Sequence, residues 1–173
     1  MRRFDHQPDD TIHFGPGAEA WLAGALRARG ARRVLLLAQG HHREGADRVA
    51  AAFGAGARVF AGVTRQVPPG VVAAALEAAR AHGAEWLVAH GGGSAVGVAK
   101  AAALETGLPI AAVPTTYAGS ERTGIWGRVD AQGRKHTGRD PRARPRLVAY
   151  DPALVATLPR ALAQKSLLNA LAH

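Results

Sequence analysis

Short, unbroken apolar runs recur along the chain at Val34–Leu37, Ala57–Ala61, Trp86–Ala89 and Ile110–Val113. A strand covered on both faces is apolar throughout rather than alternating, so each run predicts a buried strand. Helical patterns fill the intervals. Ala18–Arg29 precedes the first run and stops at Gly30, and Arg43–Phe53 carries Val49 and Phe53 on one face before Gly54. Pro69–His82 opens on a proline suited to the first turn and closes at Gly83. Ser94–Glu105 starts on a capping serine and ends before Gly107. Strands and helices alternating at this spacing predict parallel βαβ units with right-handed crossovers, an α/β fold whose parallel sheet is flanked by helices.

The pattern changes beyond Glu121. Thr123–Val129 and Lys135–Thr137, separated by Asp130-Ala131-Gln132-Gly133, predict a hairpin. Arg146–Tyr150 predicts one more strand, Asp151-Pro152 a turn, and Leu162–His173 a helix with no stop signal.

Of the 173 residues 47% are apolar but only 5% aromatic, so the expected core is built of Leu, Val and Ala. With no cysteine there are no disulfides, thiolate metal sites or cysteine nucleophile. Met1–Asp10 is polar, unlike a secretory leader, and no stretch reaches the roughly 18 apolar residues of a membrane span. A cytoplasmic protein with no membrane partner is expected. The net charge of +9 changes this little. Among the 22 basic residues only Lys100, Lys135 and Lys165 are lysines, an arginine bias that accompanies many Ala and Gly in GC-rich coding sequence. The densest cluster is Arg128, Arg134, Lys135, His136, Arg139, Arg142, Arg144 and Arg146. It reads either as a solvated loop or as an electropositive rim for an anionic cofactor or substrate. No aromatic residues interleave with it and no recognition motif accompanies it, so no nucleic-acid partner is expected.

The candidate chemistry sits where two of the apolar runs end. Gly91-Gly92-Gly93-Ser94 follows the third, and Pro114-Thr115-Thr116-Tyr117-Ala118-Gly119-Ser120-Glu121 follows the fourth. A strand that ends in closely approachable backbone and opens a helix can hold a phosphate, because unpaired amides and the positive helix end both favour an anion. Gly91, Gly92 and Gly93 would permit that approach, and Ser94 would cap the helix or bond a phosphate oxygen. The glycine order departs from G-x-G-x-x-G, and the competing reading is a turn that needs glycine only for its dihedrals. Thr115, Thr116 and Ser120 suit ribose and amide groups, or local side-chain-to-backbone turns. Gln39 follows the first run, where dinucleotide folds often place an acid for the ribose. A glutamine does not repel a 2′-phosphate, so the choice between NAD and NADP stays open, and Gln39 reads equally as a loop residue. Asn169 and His173 share a helical face, but asparagine is a poor transition-metal ligand, which favours a polar site wall over a metal site. His41, His42, His82 and His90 show no ligand spacing with a nearby carboxylate and are expected at surface or capping positions.

Taken in order, Gly91–Ser94 with Gly97-Val98-Ala99-Lys100, Pro114–Glu121, Tyr150-Asp151-Pro152 and Asn169–His173 resemble the iron-containing alcohol dehydrogenase superfamily. Thr116-Tyr117, Ile125-Trp126-Gly127 and Lys135–Pro141 make the chain most similar to its maleylacetate reductase branch. The resemblance implies a Rossmann-like, dehydroquinate synthase-like nucleotide-binding domain over residues 1–160, followed at 161–173 by the start of a truncated helical domain. It further implies NAD(P)H-dependent reduction of maleylacetate, a dicarboxylate, to 3-oxoadipate in aromatic degradation, by an enzyme expected to be a homo-oligomer. On this resemblance Gly91, Gly92, Gly93 and Ser94 hold the pyrophosphate, and Thr115, Thr116 and Ser120 line the ribose and nicotinamide. Tyr117, Asn169 and His173 fall on the substrate side. Asn169 stands where the metal-dependent relatives carry a ligand Asp, so no metal is expected. Ala163–Leu168 lacks the Ser/Thr-Gly step usual before this helix, and the catalytic helical domain is missing, so the chain reads as half an enzyme. Rival readings are a metal-dependent alcohol or polyol dehydrogenase, a lyase on the same fold, and a catalytically inert nucleotide-binding module.

Overall fold

The computed structural model describes residues 11–130, 132–156 and 158–171. Its centre is a six-stranded parallel sheet of β1 (Thr11–Phe14), β2 (Val34–Ala38), β3 (Ala57–Phe60), β4 (Trp86–Gly91), β5 (Ile110–Pro114) and β8 (Leu147–Tyr150), in the order β1-β8-β5-β4-β2-β3. Strands β6 (Ile125–Val129) and β7 (Lys135–Arg139) form a separate antiparallel hairpin. The three central strands β2, β4 and β5 are buried at every position, as continuous apolar runs require. Successive side chains face opposite sides of a strand, so two cores result. Leu35, Leu37, Leu87, Ala89, Ile110 and Ala112 meet α3 (Pro69–His82) and α4 (Gly93–Thr106) on one face. Val34, Leu36, Ala38, Val88, Ala111 and Val113 meet α1 (Ala18–Ala28) and α2 (Arg43–Ala51) on the other.

Two sequence expectations need correction, and one strand went unread. Helix α4 begins at Gly93 with Gly92 as its cap residue and no side-chain capping bond, so Ser94 is not the cap but lies inside the first turn. Strand β1 was not visible in the pattern: it is a short edge strand, and its parallel partner β8 lies far along the chain. The Asp151-Pro152 turn opens a short helix, α5 (Pro152–Ala156), before α6 (Arg160–Ala170). The Asp151 carboxylate accepts from the amides of Gly17 at 2.8 Å and Ala18 at 3.4 Å, and its other oxygen accepts from Ala153 at 2.9 Å. It thereby caps α1, whose own cap residue, Gly17, has no side chain to do so.

Connectivity fixes where a ligand can sit. From β2 the chain moves outward to β3, then returns across the opposite face to β4 on the other side of β2. The helices therefore diverge above the carboxyl ends of β2 and β4. Such a switch point is where open α/β sheets place their ligands.

Candidate functional site

The β4 end, in register with Ala38 and Pro114 through His90 and Gly91, is the middle of this crevice. Gly91 takes φ +147, a conformation side chains rarely adopt, and a Cβ there would lie 3.1 Å from the Ala95 Cβ. Gly92 is different. Its backbone is extended, but a Cβ would lie 2.9 Å from Thr116 Cγ2 and 3.2 Å from Thr116 Oγ1. Glycine is required there for close packing of the two strand-end turns. A Cβ on Gly93 would sit 3.7 Å from Ala118 and 4.0 Å from Ser120 Oγ, an oxygen that is buried without a hydrogen-bond partner. The glycine turn and the hydroxyl loop, separate in sequence, thus form one surface at the start of α4. An unpartnered hydroxyl beside a helix N-terminus fits a phosphate-bearing ligand.

The remaining candidates fall into place less uniformly. Thr115 is 2% exposed, and its hydroxyl lies 3.1 Å from His42 Nε2, behind the open surface. Thr116, Ser120 and Ser94 are half-buried, Ser94 in the first turn of α4. Gln39 is half-buried at the end of β2, and its carbonyl accepts from the His42 amide at 2.8 Å. Tyr117 is exposed, with its amide 3.4 Å from the Ser166 hydroxyl, which ties the hydroxyl loop to α6. Asn169 lies exposed three residues further along α6. His173 lies outside the described residues.

Two groups that the sequence reading missed support this surface. His90 was expected at the surface or as a cap, yet its ring is 2% exposed inside the crevice, with Nε2 2.7 Å from Glu19 Oε1. Arg48 donates to the same carboxylate at 2.6 Å. Burial alone would raise the Glu19 carboxyl, but the hydrogen bonds from His90 and Arg48 overcome it and hold it below the ordinary value. Gly45 on α2 lets this pair pack, since a Cβ there would collide with the His90 ring. His42, likewise expected at the surface, is half-buried, and burial, then the charges of His41 and His90, push it down to about 4. Together His41, His42, Arg48, His90 and Thr115 line a polar cavity of about 300 Å³.

The second group is built around Lys100 on α4. This side chain is 2% exposed and donates to the carbonyls of Thr123 at 2.8 Å and Ile125 at 2.5 Å. Burial pushes its ammonium down to about 8, against the raising pull of Glu121. Glu121 is itself buried and accepts from the Tyr150 hydroxyl at 2.8 Å. Burial, then the Glu121 charge and hydrogen bond, push Tyr150 up. These contacts bind α4, the end of the hydroxyl loop, the hairpin and β8 to one another. Lys100, Glu121 and Tyr150 all fall in the motifs that carry the family resemblance, but nothing in the sequence showed that they would meet.

The basic cluster does not form a rim around the crevice. Arg128 pairs with Glu105, Arg134 and His136 with Asp130, and Arg142 with Asp140. Arg142 also reaches the Leu104 carbonyl near the far end of α4, and the Arg146 amide bonds Ile110 at the start of β5, so this end of the cluster sits opposite the crevice. A larger cavity of about 470 Å³ lies between α3 and the hairpin, lined by Val67, Val72, Leu76, Trp126 and Arg128. None of the glycine-turn or hydroxyl-loop residues lines it.

A sequence profile of the iron-containing alcohol dehydrogenases matches residues 9–152, and the chain belongs to that family. Within the family it is similar to named reductases. Identity is 45% over 163 residues with maleylacetate reductase 2 of Cupriavidus pinatubonensis, covering 94% of this chain and 45% of that protein. It is 48% over 164 residues with maleylacetate reductase of Burkholderia cepacia, covering 94% and 46%. The crystal structure of maleylacetate reductase from Rhizobium superposes with a TM-score of 0.91 at 40% identity, over all of this chain and 50% of that one. A sulfoacetaldehyde reductase from Bifidobacterium kashiwanohense in complex with NAD+ superposes with a TM-score of 0.85 at 25% identity, over 98% of this chain and 51% of that one. The chain spans about half the length of the relatives it matches.

Proposed function

We propose that this chain holds a nicotinamide dinucleotide, NAD or NADP, across the β2–β4 crevice and forms the nucleotide-binding part of a maleylacetate reductase. The observation that carries this reading is the meeting of two strand-end turns, Gly92 against Thr116 and Gly93 beside the unpartnered Ser120 hydroxyl, at the switch point of a parallel sheet. The Gly91–Ser94 turn would hold the pyrophosphate, Thr116 and Ser120 the nicotinamide ribose side, and Gln39 the adenosine side. Thr115 would act from behind, as its burial requires. When bound, the nicotinamide would supply the hydride for reduction of the C=C bond of maleylacetate, and a proton added at the neighbouring carbon would complete 3-oxoadipate. This chain's residues would orient the ligand, with Tyr117 and Asn169 on the side of the dicarboxylate; the same role for His173 rests on the family resemblance alone.

The described residues do not fit an iron centre. Asn169 offers a neutral amide, a poor ligand for a transition metal, at the position where the resemblance would place a ligand carboxylate. The reading therefore uses no metal. It also places α6 at the start of a second, helical domain whose residues close the cleft. Leu167, Leu168 and Leu171 are 49%, 68% and 85% exposed, and self-association in a cytoplasmic setting is part of the same proposal. Among the described residues no helix is long and apolar enough to cross a membrane.

NADH fluorescence and NADH consumption on adding maleylacetate test this reading together. Saturable NADH binding without turnover by the 173-residue chain is the expected result, because closure and orientation supply much of the rate. No binding would overturn the dinucleotide reading. Turnover above a heat-killed control would overturn the need for a second cleft wall.

A further inference from the structure

The residue that joins the strand-end turns is His42. It follows β2 by four residues and reaches across the crevice to the other two central strands. Its Nε2 lies 3.1 Å from Thr115 Oγ1 at the end of β5. Its Cδ2 would lie 3.4 Å from a Cβ on Gly91, so the ring edge is flush with the glycine turn ending β4. Its amide donates to the Gln39 carbonyl at 2.8 Å, which fixes the backbone that carries it. One residue therefore links all three segments expected to hold different parts of a dinucleotide: its imidazole meets the ends of β4 and β5, and its backbone amide is tied to the end of β2.

We propose that His42 is a positioning residue that locks the hydroxyl loop onto the glycine turn in the geometry a whole dinucleotide needs. The proposal rests on the dinucleotide reading above. Thr115 is 2% exposed, so its hydroxyl serves this lock from behind the ligand surface. Thr116, the next residue, is the one that packs on Gly92. Holding Thr115 in place therefore sets the gap between Thr116 and the turn. A site whose parts are fixed before the ligand arrives loses less ordering entropy on binding. The imidazole is also suited chemically: kept neutral by its surroundings, it offers one donor and one acceptor and adds no charge to the crevice.

The lock predicts a split between ligands. NADH spans both turns, whereas ADP touches only the glycine turn and the β2 end. In the 173-residue chain, His42→Ala should weaken NADH about tenfold, the scale of one lost hydrogen bond, and weaken ADP less than about twofold. His42→Gln, which can still reach Thr115, should recover most of the NADH affinity. Thr115→Val removes the same bond without changing shape and should show the same split, and the double variant should be no worse than either single one. Thr115→Val also carries the test if His42→Ala fails to fold. Equal loss for NADH and ADP, or no loss for either, overturns the positioning role while leaving the dinucleotide reading intact. Failure of the unmodified chain to bind NADH overturns both.

Discussion

Replacing Gly92 with alanine separates a glycine needed for contact from one needed for dihedrals. Gly92 has φ −83 and ψ −164, which any residue adopts, so the backbone accepts a side chain without strain. The added Cβ would lie 2.9 Å from Thr116 Cγ2, while ordinary contact begins at 3.4 Å, so Thr116 must retreat by about 0.5 Å. Thr116 is half-buried and can move, which limits the stability cost to about 1 kcal/mol. The retreat falls on the surface that would take the ligand. Affinity for NADH should drop about tenfold, or roughly 1.4 kcal/mol. Gly91→Ala provides the contrast. At φ +147 it forces strain and should cost about 1–3 kcal/mol of folding stability. Urea unfolding and NADH titration on both variants supply the numbers. A Gly92→Ala chain that keeps full affinity, or loses as much stability as Gly91→Ala, would show that Gly92 serves the fold alone.

Other outcomes follow from the same contacts. Asp151→Ala removes the cap of α1 and should cost about 1 kcal/mol in urea unfolding. Lys100→Met keeps the apolar stem but abandons the Thr123 and Ile125 carbonyls, with a cost of about 1–3 kcal/mol by the same assay. His42 stays neutral in the folded chain down to about 4, against an ordinary 6.5, so the unfolded chain gains a proton first as pH falls. Stability should therefore decline from about pH 6.5 towards about 4, and His42→Gln should flatten that part of the profile. Elemental analysis after dialysis should find iron and zinc well below one equivalent.

Much of this architecture was legible because the physics behind it is local. Strands β2, β4 and β5 are buried on both faces and so read as plain apolar runs, and Gly30, Gly54, Gly83 and Gly107 mark helix ends. The two turns were legible as glycine and hydroxyl chemistry following such runs. What stayed hidden depends on partners distant in sequence. His90 looks like any strand-end histidine until Glu19, 71 residues away, meets it, and Arg48 reaches that carboxylate across 29 residues. Asp151 looked like a turn residue because the helix it caps begins 133 residues earlier. Ser94 was misplaced for a smaller reason: helix α4 starts at Gly93, so the serine falls inside the first turn.

The most direct test of the central claim is amide NMR of the isotopically labelled chain during titration with NADH. Shifts should concentrate at Gly92, Gly93, Ser94, Thr116, Ser120 and Gln39, and the residues lining the cavity between α3 and the hairpin, such as Leu76 and Trp126, should stay still. No shifts at millimolar NADH, or shifts centred on that second cavity, would contradict the placement of a dinucleotide at the β2–β4 crevice.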